Sequence, residues 1–208
     1  MNKQRQLDAL LRQDFTSFVQ KVFHTVAPGE PYYPNWHLLA IAYQLQQVHD
    51  GDITRLLITL PPSSLKSIIV SVAYPAYSLG LDPTKQILCA SYSQPLSLKH
   101  ARDCRRVMES NWYKRIFPKT RLDPHKNTEA EFMTTRGGGR ISCSVGSTVT
   151  GRGASLIILD DINKADDANS TTALENAIEW YKGTLLSRLN NKKLNPIITV
   201  QQRLHEDD

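Results

Sequence analysis

Residues Leu56–Ala76 read LLITLPPSSLKSIIVSVAYPA, and this stretch decides the fold. An apolar, β-rich run meets two prolines and two serines, then Lys66–Ser67, then a second apolar run compatible with a helix. The order strand, tight loop, Lys-Ser, helix is the layout of a phosphate-binding loop, in which backbone N–H groups and a helix N-terminus cradle an anion. Such loops usually read GxxxxGK[ST], with the lysine on the β- and γ-phosphates and the hydroxyl on Mg²⁺. Here Leu60 and Leu65 stand at the glycine positions, and Pro61 and Pro62 supply no N–H donors. Leu65 must take a conformation that glycine takes more readily. On these residues alone two readings stay open. One is a phosphate loop formed by Pro62, Ser63, Ser64, Leu65, Lys66 and Ser67. The other is a plain strand–turn–helix junction with an exposed lysine.

Outward from this loop, strands and helices alternate. Strands are expected at 56–60, 86–91, 155–160 and 197–201. Helical spacing marks Leu7 to Phe23 as one helix, ended by Pro28–Gly29, and Leu38 to Val48 as a second with Asn35 as N-cap. A helix over 67–79 should be kinked or shortened by Pro75. Further helices are expected from Leu96 to Met108 and from Thr172 to Leu189. Residues 112–118 read as a mixed aromatic-basic segment before a polar loop, and 131–135 with 140–145 as a hairpin around RGGG. The pattern predicts an α/β fold, a mostly parallel sheet with helices on both faces, N-terminal helices and a β-hairpin insertion.

In such sheets ligands sit at the carboxyl ends of the strands. A second strand end carries chemistry: SLIILDD, Ser155–Asp161, closes an apolar strand with two carboxylates. Nucleotide hydrolysis needs one carboxylate to hold a metal-bound water and another to orient the attacking water. Asp160 suits the first role and Asp161 the second, one methylene shorter than the more usual glutamate. A loop-opening or helix-capping aspartate pair is the plainer alternative. The third strand end is ITVQQRL, where Gln201 or Thr199 can sense a γ-phosphate and Arg203 and His205 can relay it; a solvated strand exit fits as well.

Arg152 in TGRG is presented between glycines. It is a candidate to stabilise phosphoryl charge in its own site or a neighbour's, or else a structural anchor or DNA-phosphate contact. Arg140 is a weaker candidate for the same work. Tyr32, Tyr33, Trp36 and His37 form an aromatic group that either stacks on adenine or packs in the core. Lys99, Arg102 and Arg106 share a helical face, either a DNA track or a solvated surface.

The 208 residues, 40% apolar and 22% charged, fit one ordinary globular domain and exclude disordered and fibrous classes. A net charge of +5 permits an anionic partner. Cys89, Cys104 and Cys143 are scattered and have no ligand spacing, which argues against structural zinc and for a reducing, cytoplasmic compartment. No apolar run approaches ~18 residues, so no membrane span is expected.

Taken together, PNWHL, LPPSSLKSIIVSVAYPA, ILCASYSQ, RDCRRVMES with the following WY and IFP, TGRGASLIILDD and QQRLHEDD resemble the ATPase part of a tailed-bacteriophage terminase large subunit. The resemblance covers nearly the whole chain. It implies a P-loop NTPase fold of the RecA/ASCE type, one ATPase domain over 1–208 with a helical part at 1–50 and a core at 51–208. It implies ATP and Mg²⁺ as cofactors, Lys66, Asp161, Arg152 and Gln201 as catalytic residues, and Ser67 and Asp160 on the metal. Trp36 joins the loop residues around the nucleotide. Implied partners are double-stranded DNA, a portal protein, a terminase small subunit and further copies in a ring, acting in the host bacterial cytoplasm without a membrane. Two departures matter. Serine replaces the arginine expected at position 63, which leaves binding expected and turnover open. The ribonuclease-H-type nuclease domain of the family is expected to be absent, so the alternative is a silent prophage remnant that binds nucleotide or DNA only.

Overall fold

The computed structural model describes residues 3–149 and 151–204. Its centre is a seven-stranded sheet in the order β1-β7-β6-β2-β5-β4-β3. The strands are β1 (Arg55–Thr59), β2 (Gln86–Ser91), β3 (Leu122–Asn127), β4 (Glu131–Thr134), β5 (Gly139–Ser144), β6 (Leu156–Asp160) and β7 (Ile197–Gln201). From β1 to β5 every neighbour is parallel, and β4 and β3 add antiparallel strands at one edge. The four strands read from apolar runs are all present. The expected hairpin is built into the sheet, because its second strand, β5, pairs with β2 over 86–91 and 139–144. β3 lies where a polar loop was expected. Its sequence LDPHKN has no strand signal, and Pro124 is tolerated because β3 is an edge strand.

The helices are α1 (Lys3–Gln13), α2 (Phe15–Val26), α3 (Trp36–Asp50), α4 (Tyr74–Leu81), α5 (Gln94–Glu109), α6 (Asn111–Ile116) and α7 (Thr171–Trp180). The single N-terminal helix of the sequence reading is two. Asp14 breaks it by capping α2, its carboxylate accepting from the Ser17 N–H at 2.8 Å. Periodicity misses this because the apolar stripe continues across the break. Asn35 caps α3 as expected, and Gly51 ends it with φ +89.

Ahead of α4 the chain makes a widened π-type turn, Ile68–Ala73, in which the Tyr74 N–H reaches back five residues to the Ile69 carbonyl. Pro75, which has no N–H to give, sits in the first turn after it. The perturbation expected from Pro75 therefore takes the form of a change in helix type.

Two apolar clusters sandwich the sheet. One face packs Ile58, Ile158, Ile198 and Val200 against α2, α3, the π-type turn and α5. The other packs Leu88, Ile157, Leu159 and Ile197 against Trp180 and Leu185. The helices of residues 3–50 share the first cluster with the sheet, through Phe15, Phe18, Val22 and Leu45. Among the described residues, no helix is long and apolar enough to cross a membrane.

Candidate nucleotide and metal site

The loop after β1 is held at both ends. The Leu60 N–H donates to the Gln201 carbonyl at 3.1 Å, tying the loop's start to β7. The Ser64 hydroxyl donates to the Pro61 carbonyl at 2.8 Å, and His37 Nε2 lies 3.2 Å from the Ser64 carbonyl oxygen. Ser63 and Leu65 are left-handed, with φ of 60° and 61°. Leucine in that region costs about 1–2 kcal/mol, so Leu65 does take the glycine-like conformation its position requires. Strain of this kind persists where surrounding structure imposes it, and such places cluster at ligand clamps.

Lys66 follows, only 6% exposed, with its ammonium 3.1 Å from Asp161 Oδ2. It is not the exposed lysine of a plain turn. A buried ammonium is retained only with a partner, and here the partner comes from the end of β6. The other Asp161 oxygen accepts the Gln202 N–H at 3.1 Å. Asp161 is itself left-handed, φ 47°, and its backbone bonds to Val200 and Tyr92 hold the turn.

Asp160 is 2% exposed. Its Oδ1 accepts from the Ser67 hydroxyl at 3.0 Å and its Oδ2 from the Ser71 hydroxyl at 2.5 Å. His100 Nδ1, from α5, lies 3.4 Å from Oδ2. Burial pushes the Asp160 carboxyl up to about 6. The neighbouring Asp161 charge adds to this, while the Ser71 and Ser67 hydrogen bonds and Lys66 oppose it. Burial likewise drives His100 down to about 3, helped by the positive charges of Arg140, Lys99 and Lys66. The histidine is therefore a neutral neighbour of the carboxylate.

These residues fit a metal–nucleotide pair. A carboxylate buried enough to resist ionisation is one whose negative charge lacks a cation, and Ser67 offers a second oxygen beside it. Mg²⁺ characteristically takes one or two carboxylates and completes its shell with phosphate and water. Among the described residues, no group of three or more His, Cys, Asp or Glu could hold a metal ion.

The structure thus brings together Lys66, Ser67, Asp160 and Asp161 from the ends of β1 and β6, strands separated by β7. Ser71 and His100 join them and were missed in sequence. Ser71 had a signal, four residues after Ser67 on one helical face. His100 had none, since only the packing of α5 brings it in.

Other candidates sit elsewhere. Arg152 forms an ion pair with Glu131 at 2.8 Å, beside Gln86 and Gly139. Those two residues begin β2 and β5, so Arg152 is at the amino end of the sheet, about 16 Å along the strands from the loop. That corrects any role for Arg152 in its own site; a neighbour's site, a structural anchor or a DNA-phosphate contact remains. Arg140 is fully buried on β5 beneath α5, and its Nη1 donates to the Ser142 hydroxyl. It is no surface finger. Gln201 and Thr199 line a cavity of about 340 Å³ with Leu57, Leu159 and Tyr181, on the sheet face opposite Asp160. The Gln201 side chain is thus turned away from Asp160, whereas the Gln202 backbone N–H is the group that meets Asp161. Pro62 borders a shallow cavity with Gln202 and Arg203. His205 lies outside the described residues.

A cavity of about 270 Å³ opens beside the loop, lined by Tyr33, His37, Ser63, Ser64 and Leu65 among others. Trp36 is 76% exposed and does not line it, whereas Tyr32 packs on Phe23. Of the basic residues on α5, Lys99 pairs with Asp103 and Arg102 with Glu129, while Arg105 and Arg106 bond Thr128 and Val26 carbonyls. Arg102, Arg105 and Arg106 tie α5 to its surroundings, whereas the Lys99 pair lies within the helix.

With this geometry established, the fold was compared with those of solved proteins. It is similar to the bacteriophage HK97 large terminase, with a TM-score of 0.53 and 11% identity, over 97% of this chain and 38% of that one. The N-terminal domain of the DNA packaging ATPase from bacteriophage phi29 aligns over 76% of each chain at 14% identity, with a TM-score of 0.46. At such identities the HK97 likeness establishes the fold, a mostly parallel α/β sheet shared with a phage large terminase. The chain spans 38% of the length of the HK97 protein. No family model matches the sequence, and no curated protein does so.

Proposed function

We propose that this chain is an ATP-binding and ATP-hydrolysing motor domain that drives viral DNA packaging. The observation that carries the reading is the meeting of Lys66, Ser67, Asp160 and Asp161 at one sheet end, with Lys66 buried and paired to Asp161. The fold shared with a terminase supports it.

In this reading Ser67 and Asp160 hold Mg²⁺, which screens the phosphate charge when bound. Residues 61–67 surround the phosphates, and Tyr33 and His37, which line the cavity beside the loop, are available to a base. The ion pair between Lys66 and Asp161 gives the cycle its order. A phosphate draws Lys66 away from Asp161. The freed carboxylate, still anchored by the Gln202 N–H, then accepts from the attacking water. Because Gln202 follows β7, the same hydrogen bond links the site to residues 199–204, the route by which phosphate release would reach DNA. Double-stranded DNA, a portal protein, a small subunit and a ring of copies belong to this proposal, with Arg152 facing a neighbour's site.

One observation favours a second reading, a domain that binds nucleotide without turning it over. Ser63 supplies no positive charge to the loop. Phosphate release from Mg-ATP, with and without double-stranded DNA, separates the two. Release that Lys66→Ala abolishes supports the motor; nucleotide affinity without release supports the silent domain; no affinity for nucleotide defeats both.

A further inference from the structure

Asp160 is held from two sides, and the sides differ. Its Oδ1 meets Ser67, which is half-buried at the start of the helical segment. Its Oδ2 meets Ser71 and His100, which are 1% and 4% exposed. One carboxylate oxygen therefore faces the half-buried start of the helical segment, and the other faces the core.

The Ser71 contact is not a by-product of helix geometry. A helical serine hydroxyl ordinarily bonds the carbonyl four residues back, here that of Ser67. Ser71 instead donates across to β6, at 2.5 Å and out of water. It does so from the π-type turn Ile68–Ala73, and such turns are frequent at functional sites. Rotation about the terminal bond of an aspartate is soft and exchanges its two oxygens. A short hydrogen bond to one oxygen, with an imidazole against it, stops that exchange and fixes the carboxylate plane.

We infer that Ser71 and His100 are positioning residues for the metal: by holding Asp160 Oδ2 from the core side, they present Oδ1 to a divalent cation beside Ser67. This rests on the nucleotide reading above. Ser71 is the main holder, and His100 closes the remaining approach to Oδ2. Neither reaches the metal itself.

The test is Mg²⁺-dependent binding of a fluorescent ATP analogue, read as the Mg²⁺ concentration giving half-maximal binding, with affinity in EDTA measured alongside. Loss of an outer hydrogen bond to a metal ligand typically costs 10–100-fold in metal affinity. Ser71→Ala is expected to raise the half-point about tenfold and leave the EDTA affinity within about twofold of wild type. His100→Ala should raise it by less, and His100→Asn, which refills part of the space against Oδ2, should recover part of the loss. An unchanged half-point in both alanine variants, with Asp160→Ala raising it, overturns the inference. So does a loss of EDTA affinity in the same proportion, which makes the residues structural. If the wild-type chain binds the analogue in neither condition, the nucleotide reading itself fails and takes this one with it.

Discussion

Replacing Asp160 by asparagine should stabilise the ligand-free protein while removing its metal site. Burial raises the Asp160 carboxyl from its ordinary 3.8 to about 6. That displacement is worth about 3 kcal/mol against the ionised carboxylate. The folded state thus holds a proton between about pH 4 and pH 6 that the unfolded chain has released, and wild-type stability falls as pH rises through that window. Asparagine is nearly isosteric and carries no charge to desolvate. It cannot accept from Ser67 and Ser71 as two oxygens do, which returns about 1 kcal/mol. The net gain above pH 7 is about 2 kcal/mol, or roughly 4–8 °C in Tm for a domain of this size. The assay is thermal unfolding of both proteins in EDTA from pH 4 to pH 8. The difference should be small or negative at pH 4, where wild type is also neutral, and should open through pH 6. A variant less stable than wild type at pH 8, or a difference that does not move with pH, would refute the argument from burial. Added Mg²⁺ should stabilise only the wild type, since the variant offers no carboxylate.

Two further predictions concern the layer behind the site. The ring of His100 should remain neutral down to about pH 5, because burial holds its pKa near 3; its imidazole resonances, followed by NMR, should not titrate between pH 5 and pH 8. Arg140 is fully buried, and its Nε and Nη2 have no hydrogen-bond partner among the described residues. Arg140→Met should therefore be neutral to stabilising by up to about 3 kcal/mol in chemical denaturation, as apolar replacements of buried charges often are, whereas loss of stability would mean the guanidinium is compensated.

Much of the site was legible because its chemistry lies at strand ends that the local pattern marks. The run LIILD can only be a buried strand, so the aspartates after it fall at a carboxyl end. LLITL before Lys66 does the same for the loop. Even the left-handed Leu65 follows from its place in the motif. The failures have one cause. Flanking glycines left Arg152 open to a role in its own site, but which end of a sheet a loop occupies depends on the direction of the strand it precedes. Gln201 looked like a sensor because it ends a strand, but its side chain points to the face opposite Asp160.

By itself, then, the sequence determined most of the elements. Apolar runs specified the strands, Asn35 and Gly51 the limits of a helix, and Lys66–Ser67 and Asp160–Asp161 the residues available for phosphate and metal. These are local properties, set by side-chain periodicity and backbone preference within a few residues. Only the tertiary structure decided the strand order β1-β7-β6, which sets the two motifs close enough for Lys66 to reach Asp161 across an intervening strand. It alone brought Ser71 and His100 to Asp160, across 89 and 60 positions of chain. It also recruited LDPHKN as a strand, by giving it a partner in β4. Pairing and burial are long-range outcomes of packing one sheet between two apolar layers, and no window of sequence contains both partners.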